Sequence, residues 1–115
     1  MEATPFAAVL RPANNDLIID LRGDINGGAD SQFNAIIEQA LAQQPGALLL
    51  NFSAVGYINS TGIALIVGLL AAARKNGIPL RTYGLSDHYQ EIFTITRLSD
   101  FMSIVGDEAA ALGND

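Results

Sequence analysis

A chain of 115 residues is enough for one domain that buries most of a single core, and a second domain does not fit. Six Lys plus Arg against twelve Asp plus Glu leave a net charge of -6, which repels phosphate backbones and offers no basic stripe for DNA or RNA. With no cysteine and a single histidine, His88, disulfides, thiolate metal sites and histidine clusters are excluded, so neither a metal nor a cofactor is expected.

Charged residues from Glu2 through Arg11, Asp16, Asp20, Arg22 and Asp24 to Asp30 break up the first thirty positions, which is incompatible with the apolar segment of a signal peptide. A cytoplasmic location is the resulting expectation. Phe6 to Leu10 and Leu17 to Leu21 are short apolar runs separated by Pro12-Ala13-Asn14-Asn15, a cluster suited to a hairpin or tight reversal. After Gly23 and the Gly27-Gly28 pair, Phe33, Ile36, Ile37, Ala40 and Leu41 recur at one helical stripe. Asp30 or a neighbour is expected to cap that helix, and Pro45-Gly46 to end it. Gly27-Gly28 itself reads as a backbone turn rather than a phosphate cradle, because neither a Walker pattern nor GxGxxG follows.

Ala47 to Phe52 reads as a strand whose core, Leu48-Leu49-Leu50, is apolar at successive positions, as expected for a central strand covered on both faces. A polar loop should follow and deliver Asn59-Ser60-Thr61-Gly62 to the start of a long helix from about Thr61 to Asn76. Arg74 and Lys75 suit that helix's last turn, Gly77 its left-handed C-cap, and Pro79 lies just beyond. Ser60 or Thr61 at such a start reads either as an N-cap or as a site where the helix N-terminus would favour a phosphate. No charge occurs from Thr61 to Ala73, and apolar residues spread around more than one face, so a face is expected to remain for a partner; the helix is too short to span a membrane. Ala64, Gly68 and Ala71 or Ala72 form a small-residue line, attributed to close packing on the sheet, with close approach by another protein as the alternative. Leu80 to Gly84 gives another strand, Ser86-Asp87 with Gln90 a helix cap before Ile92, Phe93 and Ile95, and Phe101 to Val105 a last strand. His88 should be a surface residue near that helix start. The tail from Asp107 to Asp115 suggests one short helix that frays. A Ser-His-Asp set could be composed from Ser60, His88 and Asp87, but no G-x-S-x-G elbow accompanies it, and catalysis is not expected.

The run Asn51-Phe52-Ser53-Ala54-Val55-Gly56-Tyr57-Ile58-Asn59-Ser60-Thr61-Gly62-Ile63-Ala64-Leu65 resembles the signature of STAS domains, the family of anti-sigma factor antagonists, which usually reads D-x-S-x-V-x-x-I/M-D-S-S/T-G. Leu21-Arg22-Gly23-Asp24-Ile25 looks like that family's second strand, Gly77-Ile78-Pro79-Leu80 the approach to its fourth, and Ile92 to Leu98 its late helix. The resemblance implies an α/β fold over 1–115, a small four- to five-stranded mixed sheet flanked by three or four helices. It also implies a bacterial protein that works by binding other proteins. By this resemblance Ser60, or Thr61 beside it, is the phosphoacceptor for an anti-sigma factor that is itself a serine kinase, and ATP belongs to that partner. The expected partner-binding set joins Asn26, Asn59 and Gly62, at positions of the family's pattern, with Ile63, Ile66, Val67 and Leu70, the apolar helix residues among which the face left for a partner is to be found. Asn59, Asn26 and Asn51 each stand where the family usually has an acid; asparagine keeps an acceptor oxygen and loses the charge. The alternative reading is a STAS accessory or scaffold subunit of a transport or stress-signalling assembly that docks without a phospho-switch.

Overall fold

The structure, a computed structural model, describes residues 4–113. Its elements run β1 (Ala7–Ala13), β2 (Asp16–Ile25), α1 (Asp30–Ala42), β3 (Leu48–Ile58), α2 (Ser60–Lys75), β4 (Leu80–Tyr83), α3 (Asp87–Ile95), β5 (Ser103–Ile104) and α4 (Glu108–Ala111), with 3-10 turns at Gly27–Ala29 and Leu98–Asp100. The strands lie in the order β1-β2-β3-β4-β5. β1 and β2 are antiparallel, and each later pair is parallel, so the sheet is mixed. Pro12 and Ala13, expected in the turn, belong to β1; the reversal is made by Asn14-Asn15, with Asn14 at φ 57°, a left-handed conformation asparagine adopts more readily than most residues.

Because the parallel strands follow one another in sequence, crossovers of the usual right hand place every connecting helix on the same face. That face carries the main core. Leu17, Ile19 and Leu21 of β2 and Leu48, Leu50 and Phe52 of β3 point into it, against Phe33 and Ile37 of α1, Ile66, Leu69 and Leu70 of α2, and Phe93 of α3. Alternate residues on the same strands, Ile18 and Leu49, form a second, smaller cluster with Ala47, Tyr83 and Ala111 under α4. The successive leucines of β3 are thus explained by two covered faces on a strand with neighbours on both sides.

The expected polar loop after Phe52 is strand instead: β3 continues to Ile58. Relative to β2 it carries an extra residue twice, where Asp20 and Arg22 pair with Asn51 and Ala54, and where Gly23 and Asp24 pair with Val55 and Tyr57. Each bulge resets the alternation of faces, so Ser53 to Tyr57 show no two-residue period. The late helix begins as expected, with the Ser86 side chain accepting from the Tyr89 backbone N–H at 3.3 Å. The last strand is only Ser103–Ile104, and the tail does form a short helix, α4, capped by Asp107; Asn114 and Asp115 lie outside the described residues.

A polar network fastens α4 to the sheet. Arg11 of β1 is held between two carboxylates: its Nε donates to Asp20 at 2.8 Å and its Nη2 to Glu108 at 2.6 Å. Tyr83 donates to Glu108 at 2.6 Å, and Asn51 donates to Asp20 at 2.8 Å while accepting from the Ser53 N–H at 3.0 Å. The Arg11 guanidinium keeps both the Asp20 and the Glu108 carboxyl below the usual carboxylate range, and burial raises the Tyr83 phenol. Arg81 completes the attachment, donating to the Ala111 carbonyl at 2.9 Å.

Candidate functional site

Two segments meet at one end of the sheet: the turn after β2 and the junction of β3 with α2. The backbone joins them, because the Asn59 N–H donates to the Ile25 carbonyl at 3.2 Å. Gly62 then lies against the same carbonyl so closely that a Cβ there would come within 2.0 Å of it. Only glycine permits this approach. The Gly27 turn touches the start of α2 as well, since a Cβ on Gly27 would meet the Thr61 methyl at 3.6 Å. From behind, the buried Tyr89 hydroxyl of α3 accepts the Ile58 N–H at 2.8 Å, fixing the strand end immediately before the site.

Both turns are capped by asparagine. Asn59 has extended backbone and accepts the Gly62 N–H through its side chain at 2.8 Å, while the Ile63 N–H bonds its carbonyl at 2.9 Å. Neither Ser60 nor Thr61 is the cap, therefore; both are exposed residues of the first helical turn. Asn26 does the same for the Gly27–Ala29 turn, accepting the Gly28 N–H at 2.9 Å, so α1 begins from Ala29 and Asp30 is its first residue rather than its cap. Neutral asparagine provides the acceptor oxygen required at each of these positions.

The partner-binding set separates on α2. Gly62, Ile66 and Leu70 are buried together with Leu69 and Ala73, at the spacing of one helical face, and pack on the sheet; they are core residues, not surface. Val67 is 47% exposed, Ile63 is half-buried, and Asn26 and Asn59 are half-buried. The small-residue line also faces outward: Ala64, Gly68 and Ala71 are exposed, and a Cβ on Gly68 would meet nothing within 4 Å. Close packing on the sheet therefore does not account for it. The result is a smooth outer face running from Ser60 past Ala64, Val67, Gly68 and Ala71 to Arg74. At the far end the helix closes as its sequence indicates, with Gly77 at φ 68°, its N–H on the Arg74 carbonyl and the Ile78 N–H on that of Ala73. His88 is exposed, with its ring 5.0 Å from that of Tyr89.

Two features had no signal in the sequence. The Tyr89 bond to Ile58 and the Arg11, Asp20, Asn51, Tyr83 and Glu108 network join residues far apart in the chain, and nothing in local spacing marks them. The network explains Asn51. A carboxylate there would face Asp20 at hydrogen-bonding distance, whereas the amide can donate to it.

The sequence profile of the STAS domain matches residues 7–111, and the strand, helix and glycine positions just described fall within that span. The chain belongs to the STAS domain family. It is similar to the anti-sigma-B factor antagonist of Listeria monocytogenes, with 29% identity over 97 residues, covering 84% of this chain and 85% of that protein. An anti-sigma factor antagonist from Mycobacterium paratuberculosis shares the fold at a TM-score of 0.83 with 15% identity, over 96% of this chain and 93% of that one. The Bacillus cell fate determinant SpoIIAA in its phosphorylated form superposes at a TM-score of 0.72 with 21% identity, over 95% of this chain and all (100%) of that one. The five-stranded mixed sheet with four helices is the STAS fold. No helix among the described residues is long and apolar enough to cross a membrane.

Proposed function

We propose that this chain is a binding regulator of the anti-sigma factor antagonist type: it captures an anti-sigma factor that is also a serine kinase, and phosphate on Ser60 ends the capture. The observation that carries this reading is the division of labour at the start of α2. Asn59 holds the cap, so the exposed Ser60 hydroxyl is not committed to capping and stands at the first residue of the helix. Backbone N–H groups of the first turn and the helix dipole favour an anion there, so a phosphate adds about -1.5 to -2 charges without disturbing the fold. Beside it the outer face of α2 is neutral and smooth. A partner covering that face would have to bury the dianion against Ala64 and Val67, and a loss of about 3 to 4 kcal/mol weakens such a complex several hundredfold.

Support also comes from the Listeria relative, named an anti-sigma-B factor antagonist, and from SpoIIAA, which has a phosphorylated form. In this reading the chain acts in the cytoplasm on transcription through its partner, without catalysis of its own, and the partner brings ATP. A second reading is favoured by the two asparagines at the site. With Asn26 and Asn59 both neutral, the same surface would dock constitutively in a larger assembly, without a switch. Incubation with a serine switch kinase and ATP, followed by intact-mass measurement, separates the two. The first reading expects one phosphate on Ser60, its loss in Ser60→Ala, and faster transfer in Asn59→Asp. No phosphate on Ser60 or Thr61, with unimpaired partner binding by Ser60→Asp, leaves docking without a switch.

A further inference from the structure

Asparagine followed by glycine occurs twice in this chain, at Asn26-Gly27 and at Asn76-Gly77. The pair has a chemistry of its own, because glycine has no side chain to screen its backbone nitrogen from the asparagine's Cγ. Attack by that nitrogen forms a C–N bond and closes a five-membered succinimide, while the side-chain nitrogen takes the displaced proton and leaves as ammonia. Water then opens the ring at either carbonyl, giving aspartate or isoaspartate. Each product carries a carboxylate where the chain had a neutral amide.

Access to solvent does not separate the two pairs: Gly27, Asn76 and Gly77 are exposed and Asn26 is half-buried. Their hydrogen bonds do. At the end of α2 the Gly77 N–H donates to the Arg74 carbonyl at 3.1 Å and the Asn76 Nδ2 to the Ala72 carbonyl at 2.7 Å, so both the attacking nitrogen and the amide it would attack are tied to the helix. At Asn26 the backbone is extended, and the Gly27 N–H has no acceptor among the described residues. The Asn26 Oδ1 instead accepts the Gly28 N–H at 2.9 Å. That bond folds the side chain back over the peptide with which it must react, and it sets a donor on the oxygen that becomes negative as the tetrahedral adduct forms.

We propose that Asn26 is a self-modifying residue, converted in the folded chain through the Gly27 nitrogen into aspartate or isoaspartate, while Asn76 is protected by its helix end. The aspartate product keeps an oxygen for the Gly28 N–H and serves as a cap as well as asparagine does. Isoaspartate adds one atom to the main chain and displaces the turn, whose Gly27 lies beside Thr61. Either product adds a negative charge to the turn that touches the start of α2, so the charge there depends on the age of the chain as well as on its sequence. The conversion needs no partner and is independent of phosphate on Ser60.

The test holds the full folded chain in physiological buffer and a second portion in urea. Chromatography with fragmentation mass spectrometry then follows the gain of about 1 Da at each asparagine and separates aspartate from isoaspartate, with Asn26→Asp marking the aspartate product. In the folded chain Asn26 should keep its urea rate within about threefold, whereas Asn76 should slow about tenfold or more, the factor that opening one backbone hydrogen bond imposes. Gly27→Ala, whose added methyl would meet the Thr61 methyl at an ordinary 3.6 Å, should fold normally and slow conversion of Asn26 about tenfold by crowding the nitrogen. A folded chain in which Asn26 slows as much as Asn76, in which Asn76 converts first, or in which Gly27→Ala changes nothing would overturn the proposal.

Discussion

The two faces of the sheet are held by different forces. On one, three helices cover a continuous apolar layer in which Ile19, Leu48, Leu50, Ile66 and Phe93 are completely or almost completely buried. On the other, a single four-residue helix covers a few apolar side chains, and Arg11, Asp20, Glu108, Tyr83 and Asn51 hold the rest. The lesson is a division of roles. The thick face supplies most of the stability through burial, which is nearly indifferent to pH and salt, while the thin face fixes the chain's C-terminal helix through charges that respond to both.

Truncation of one leucine on each face tests this most severely. Leu50→Ala removes a side chain from the middle of the thick layer and should cost about 3 to 5 kcal/mol, whereas Leu49→Ala, beneath the thin cover that can settle inward, should cost about 2 to 3 kcal/mol. Urea denaturation of both variants gives the values, and equal or reversed costs would break the comparison.

Asn51→Asp, which would restore the family's usual acid, places a second carboxylate on Asp20 and should cost about 1 to 3 kcal/mol at neutral pH. The loss should shrink in acid, as one of the pair takes a proton. A variant as stable as the wild type at pH 7 would mean that Arg11 can serve both carboxylates.

Glu108→Gln weakens the attachment of α4 by a smaller amount, about 0.5 to 1 kcal/mol, because this ion pair is partly exposed. Its pH dependence has a definite sign. Asp20 and Glu108 are both more acidic in the folded chain than their ordinary values, so their contribution is complete above the usual carboxylate range, around pH 4 to 5, and disappears as pH falls through their lowered folded values. The wild type should therefore lose stability on acidification more steeply than Glu108→Gln, as measured by thermal midpoints between pH 7 and pH 2. Parallel curves would remove the network as a source of stability.

The smallest effect is expected at Val67, on the outer side of the thick layer. Val67→Glu should change stability by no more than about 0.5 kcal/mol, since the side chain stands half in water. In the proposed function the same change abolishes partner capture, and a folded variant that still binds would remove this helix face from the interface.

How much of this was readable in the sequence follows from which features are local. Leu48-Leu49-Leu50 announced a central strand because covered faces leave apolar residues at successive positions. The end of α2 was readable in Gly77 and Pro79, each tied to a backbone requirement. Ser53 to Tyr57 were misread as loop, because two bulges erase the alternation by which a strand is recognised. The capping role was misplaced by one residue, since Asn59, Ser60 and Thr61 are all competent caps and only the backbone turn selects among them. The helix's apolar residues were visible, but their division into buried Ile66 and Leu70 and exposed Val67 was not; with no charge from Thr61 to Ala73, nothing in composition marks the outer face. Pairings such as Tyr89 with Ile58 depend on tertiary approach alone.

The central claim is that Ser60 controls who binds the smooth face of α2. Its most direct test is a paired capture in which Ser60→Ala and Ser60→Asp are used as baits in the same native lysate and the retained proteins are compared by quantitative mass spectrometry. The account predicts a serine kinase of the anti-sigma type retained by Ser60→Ala and depleted at least about a hundredfold on Ser60→Asp. The same proteins in equal amounts on both baits would contradict it.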